Sequence, residues 1–143
     1  MKNSEKRSNP QALEAVRHSL AHLLAATVLK LFPETKLGIG PSIENGFYYD
    51  FLFKKPLTPE VLPKLEEIMR GMIRAALPFS GKKLAPAAAK KLFAKQPFKL
   101  DLIKEFTKAK QQLTVYITGK PPQKLTETFN FKLSTLNFFA DLC

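Results

Sequence analysis

At 143 residues the chain suits one domain of ordinary size and is too short for two well-developed cores. With 45% hydrophobic residues it can bury a real core, which excludes disorder as a whole-chain description. Lys and Arg total 23 against 12 Asp and Glu; the formal net charge of +11 attracts polyanions, nucleic acid first and anionic membrane second, the bland alternative being a solvated surface.

The polar, charged stretch 1–10 reads as a disordered N-terminus and lacks the apolar run of a signal peptide. Asn9 and Pro10 suit an N-cap and a first helical position, and a helix is predicted over 11–32, ended by Pro33. Its longest apolar stretch, 20–32, is interrupted by His22 and Lys30 and falls short of the ~20 apolar residues of a membrane span. A short strand at 36–40 follows, then a tight turn at Asn45-Gly46 leading into the aromatic strand 47–53. A second helix is predicted over 58–77, with Leu62, Leu65, Ile68, Met69, Met72 and Ile73 at helical spacing. A strand at 78–84, helices at 86–95 and 98–106, and a strand at 113–118 come next. Gly119, Pro121 and Pro122 break the pattern, and 125–143 suggests one or two further strands. Hairpins mixed with separate helices point to an α+β fold over 11–143. The single cysteine, Cys143, permits no intrachain disulfide, which fits a reducing cytoplasm, and the expected protein is soluble, with no membrane partner.

The only histidines, His18 and His22, are four residues apart on the first predicted helix. That spacing separates the two rings by about 40° around the helix and puts them on one face. The leucine-rich stripe of Leu13, Val16, Leu20, Leu23, Leu24 and Leu31 lies about 200° from His18. The helix is therefore expected to be covered on both sides, packing the leucine stripe into the core and bordering a cleft with the histidine face. A pair of this kind can ligate a metal, transfer protons or sit on a surface, and spacing alone leaves all three open. The glutamate of H-E-x-x-H is missing, so metalloprotease chemistry is not suggested.

Several motifs make the reading more specific. The run from Arg17 through His18, Ser19, Leu20, Ala21 and His22 to Leu24 resembles the R-H-S-x-A-H-L-L motif of the threonyl-tRNA synthetase editing domain. The run from Gly38 to Asp50 is similar to that family's G-I-G-P-x-I-E-N-G-F-Y-Y-D. Pro97 to Ile103 is similar to P-Y-K-L-E-L-I, and Phe139 to Cys143 matches F-x-D-L-C. Alanyl-tRNA synthetase-type editing domains share the two histidines but not the glycine-to-aspartate run.

The resemblance implies a two-layer editing domain, with the long His-bearing helix packed on an antiparallel sheet. It implies hydrolysis of mischarged seryl-tRNA(Thr), with the acceptor end of tRNA(Thr) and the remainder of a synthetase as partners. Carried over by matching position, His18, His22, Tyr49, Lys99, Asp141 and Cys143 would form the site. His18 and Lys99 would handle water and protons, and His22 would orient the ester or the ribose. Tyr49 and Asp141 would shape the pocket. No cofactor is required for that chemistry; zinc on His18, His22 and Cys143 is the alternative. Lys82, Lys83, Lys91 and Lys95 are candidates for the tRNA backbone, with Lys90 beside them and Lys91 and Lys95 one helical turn apart. Without the motifs, each of these residues has an ordinary structural reading as strand core, solvated lysine, turn or inert thiol. Three departures from the family pattern stand out. The pattern continues beyond F-x-D-L-C to a histidine whereas this sequence stops at Cys143, so the editing domain is expected to be truncated there. The segment 119–137 is longer than the family's link. The ubiquitin-like, catalytic and anticodon-binding domains, and any ATP-binding motif, are not seen in the sequence.

Overall fold

The structure is a computed structural model that describes residues 9–119, together with the backbone of strand segments at 134–135 and 138–142. Helix α1, Pro10–Leu31, opens on Asn9, whose side chain accepts a hydrogen bond from the Gln11 backbone N–H at 3.1 Å. It thus begins inside the stretch 1–10 expected to be disordered; residues 1–8 lie outside the described part.

Strands β1 (Lys36–Leu37), β2 (Ser42–Ile43), β3 (Gly46–Phe47) and β4 (Phe51–Leu52) follow. They form two antiparallel ribbons, β1 with β4 and β2 with β3. Ile43 pairs with Gly46, so the tight turn is Glu44-Asn45, one residue earlier than predicted. The expected aromatic strand is broken between Phe47 and Phe51, where the chain passes from one ribbon to the other. Gly40 is needed there: a Cβ on it would run into the Tyr49 ring.

Helix α2 spans Val61–Arg74. Of its predicted apolar positions only Leu65 is buried; Leu62 and Ile73 stay exposed. Strand β5, Phe79–Leu84, leads to α3, Pro86–Leu92, and α4, Pro97–Lys108. Pro97 restricts Gln96 to a non-helical conformation (φ −119°, ψ 87°), so α3 and α4 are separate. Lys95 therefore lies in the turn after α3, and the one-turn relation to Lys91 expected for a continuous helix is not formed. Helices α2 and α4 are each followed by a non-glycine residue with positive φ, Ala76 and Lys110.

Strand β6 covers Leu113–Gly119, and β7 (Ser134–Thr135) and β8 (Phe138–Leu142) complete an antiparallel sheet of order β5-β6-β8-β7. Leu113, Val115 and Ile117 alternate onto one face of β6, where they meet Leu84 and the buried Ala89, Leu92, Phe93 and Ile103 of the α3–α4 side. Helix α1 lies against β7, β2, β3 and α2. A second cluster joins Ala25, Ala26 and Leu29 to Leu37, with Tyr49, Phe51 and Met72 packed on it. The fold is α+β, as expected.

Helix α1 is covered on both sides along its later turns, as expected: the histidine face buries Ala21, His22, Ala25, Ala26 and Leu29, and the leucine stripe buries Leu23, with Thr27 and Val28 also buried. At its start the stripe departs from expectation, since Leu13 and Val16 are exposed. Thr27 adds to the contact with α2, its hydroxyl reaching the Met72 sulfur at 3.7 Å.

Two exposed carboxylates depart from ordinary values. A hydrogen bond from Lys54 at 2.9 Å, and its charge, hold Glu34 below the usual range. Hydrogen bonds from its own backbone and from Thr58 do the same for Glu60. Neither belongs to the site described next.

Candidate active site

The helical spacing of His18 and His22 produces direct contact. Their Nε2 atoms are 3.0 Å apart and the rings meet edge to face, with centroids 4.5 Å apart. One ring donates and the other accepts, so the pair shares one proton along this bond. A metal ion bound by both Nε2 atoms would need both lone pairs and would replace that proton. Among the described residues no three His, Cys, Asp or Glu side chains come together to hold a metal; Cys143 lies outside them.

The third ring of the cluster comes from β6. The Tyr116 centroid lies 5.2 Å from that of His18 and 5.6 Å from that of His22. Tyr116 is the residue that the strand's alternation turns away from Leu113, Val115 and Ile117, towards α1. The sequence reading passed over it. The signal was the period-two pattern itself, which leaves one large polar-tipped ring on the face opposite the core. Strand register sets Asp141 of β8 directly across from Tyr116. That backbone position is all that is described of Asp141.

Lys99 and Tyr49 form a second pair. Lys99 is only 1% exposed, which sets it apart from the solvated lysines around it. Its Nζ lies 5.4 Å from the centroid of the Tyr49 ring, which stacks on Phe51 at 4.8 Å. Gln96, absent from the sequence-based candidates, helps place Lys99. Its buried side chain accepts from the Leu37 N–H at 2.7 Å and donates to the Thr35 carbonyl at 3.2 Å, fastening the start of α4 to β1. Tyr49 packs on the cluster containing Ala25 and Ala26, three and four residues after His22.

Arg17 orients the helix against the run that carries Tyr49. Its Nη1 donates to the backbone carbonyls of Ile43 and Glu44 at 3.2 and 2.6 Å, holding the β2–β3 turn beside the first histidine.

The exposed basic candidates divide between the two sides of the sheet. Lys83, directly across from Thr114, is on the Tyr116 face, and Lys82, across from Val115, is on the α3–α4 face. Lys90, Lys91 and Lys95 belong to α3 and the turn after it. A groove of about 510 Å³ lies elsewhere, lined by Phe51, Phe98, Leu102, Asp50, Asp101 and Glu105 among others; it contains none of the expected site residues.

The structure defines an α+β domain with a hydrogen-bonded histidine pair on α1 and a buried lysine on α4. No family model matches the chain. It is 47% identical over 107 residues to a threonine–tRNA ligase of Dehalococcoides mccartyi strain BAV1, covering 75% of this chain and 18% of that protein. Against the threonine–tRNA ligase of Thermotoga maritima it is 45% identical over 115 residues, covering 78% and 18%. For that of Anaeromyxobacter dehalogenans the values are 42% over 114 residues, 78% and 18%. The chain is a homologue of that segment of the threonine–tRNA ligases, and it spans about 18% of the length of these curated relatives. Among the described residues no helix is long and apolar enough to cross a membrane.

Proposed function

We propose that this domain hydrolyses seryl-tRNA(Thr), removing serine attached in error in place of threonine. The two amino acids differ by one methyl group, which a binding pocket discriminates by only ~1–3 kcal/mol, so a second, hydrolytic step is chemically useful. The observation that carries the reading is the hydrogen-bonded His18–His22 pair, set against Tyr116.

In this reading a water oxygen attacks the ester carbonyl carbon. The bond from that carbon to the ribose oxygen breaks, and the water proton ends on the leaving hydroxyl. His18 accepts and relays the proton, and His22 holds it in register through the Nε2 contact. Lys99, beneath Tyr49, offers positive charge to the oxygen on which negative charge develops. The family resemblance assigns Tyr49 and Asp141 to the serine amine or hydroxyl, with Cys143 as a further candidate from the same motif. The proton chemistry is complete without a metal; zinc on His18, His22 and Cys143 remains the competing arrangement, testable by metal content before and after His22→Ala. Lys82, Lys83, Lys91 and Lys95 contribute to holding the tRNA backbone.

The test is deacylation of seryl-tRNA(Thr) by this chain, with threonyl-tRNA(Thr) as control. Loss of serine but not threonine, abolished by His18→Ala and by Lys99→Met, is the expected result. A folded chain that binds tRNA without hydrolysing the ester would reject it in favour of a binding role alone.

A further inference from the structure

On the same face of the sheet as the histidine cluster, β5 presents Phe79, Gly81 and Lys83 in alternate positions, across from Thr118, Tyr116 and Thr114 of β6. Phe79 is 49% exposed and Tyr116 37% exposed. They are diagonal neighbours on adjacent strands, a spacing of about 7–8 Å that large rings can bridge. Between them, Gly81 contributes no side chain; even a Cβ there would come within 3.8 Å of the Tyr116 ring, so the glycine leaves that ring's flank open. Lys83 supplies positive charge at the end of the row, in a chain whose net charge is +11.

We propose that Phe79 and the open flank of Tyr116 form a stacking platform for unpaired bases at the 3′ end of an RNA, with Lys83 on its phosphate backbone. Exposed aromatic rings on an antiparallel sheet, flanked by a cation, suit single-stranded nucleic acid because every base offers a π-face whatever its sequence. The platform is continuous with the histidine cluster through Tyr116, which touches both. Bases held on Phe79 and Tyr116 would bring the terminal ribose of the same strand towards His18. The assignment rests on the editing reading for its substrate, but the binding can be measured without any hydrolysis.

The experiment uses the whole chain and an uncharged single-stranded RNA, 5′-ACCA-3′, followed by fluorescence anisotropy across a salt series. Phe79→Ala should weaken binding about 5-fold or more, and Phe79→Trp should retain it. Lys83→Ala should lower the slope of log K against log salt by about 0.7, while Lys104→Ala, an exposed lysine of α4 on the other side of the sheet, leaves it unchanged. Circular dichroism melts separate loss of binding from loss of fold; Phe79 is half exposed, so its variants should keep the wild-type midpoint. No binding by the wild-type chain, binding indifferent to Phe79→Ala, or equal effects of Lys104→Ala and Lys83→Ala would each overturn the platform. Binding without deacylation leaves the platform standing and removes the editing reading. Deacylation with unchanged KM in Phe79→Ala does the reverse.

Discussion

On one face of β6, Leu113, Val115 and Ile117 are sealed beneath α3 and α4; on the other, Tyr116 remains partly open with two histidine rings against it. The sealed face holds residues whose only demand is volume. The open face holds the Tyr116 ring and borders α1 at its two histidines. One strand thus carries both the stability of the domain and its candidate chemistry, separated by the two-residue period. Substitutions one position apart on β6 should therefore fail in different ways, one by unfolding and the other by loss of function.

The largest difference should come from the open side. His18→Ala should reduce deacylation of seryl-tRNA(Thr) by ~10²–10⁴-fold, the usual range for a proton-transferring group, with the urea midpoint of the folded domain retained. Single-turnover rates beside a denaturation curve make the comparison. On the sealed side, Phe93→Ala removes a ring with no solvent exposure and should cost about 3–5 kcal/mol of stability in urea unfolding. An intact fold after that change would mean that α3 and α4 contribute less to the core than their burial implies.

A smaller effect is expected from Gly40→Ala. The added Cβ would press on the Tyr49 ring, and overpacking of this kind costs about 1–3 kcal/mol. Because Tyr49 lies over Lys99, deacylation should fall as well; a stability loss with full activity would detach the Tyr49–Lys99 pair from the chemistry. The smallest effect belongs to Glu34→Gln, which removes an exposed ion pair with Lys54. Glu34 has a lowered folded-state value, so its contribution is present above the ordinary 4.5 and is lost as pH falls through the lowered value. Melting curves at neutral pH should differ little between variant and wild type, and the difference should vanish under acid.

Much of this arrangement was legible in the residues. Pro10, Pro33 and Pro86 marked helix boundaries, because proline restricts its own φ and the residue before it. The i, i+4 spacing of the histidines forecast their contact, because helical geometry is local. That α1 is covered on both sides was legible in its two faces; that Leu13 and Val16 at its start stay exposed was not, because it depends on where distant elements end. Tyr116 and Gln96 were missed because their roles depend on strand register and on a contact from Gln96 back to Thr35 and Leu37, far away in sequence. The burial of Lys99 was invisible for the same reason: a lysine three residues into a helix looks solvated until Tyr49 is known to lie against it.

The clamp made by Arg17 limits how the sequence can drift. Its guanidinium ties the residue just before the first histidine to the two carbonyls at the tip of the β2–β3 ribbon. An insertion or deletion in that ribbon would be transmitted as a rotation of α1 about its own axis, swinging both imidazoles out of line. Arginine stays charged across the accessible pH range and carries the Nη1 that serves both acceptors on a planar, rigid group, whereas a lysine offers a compact point charge on a flexible stem. In a mutational library, ribbon-length variants and Arg17→Lys should therefore lose function together while their melting curves stay close to wild type, a signature of lost register rather than lost fold.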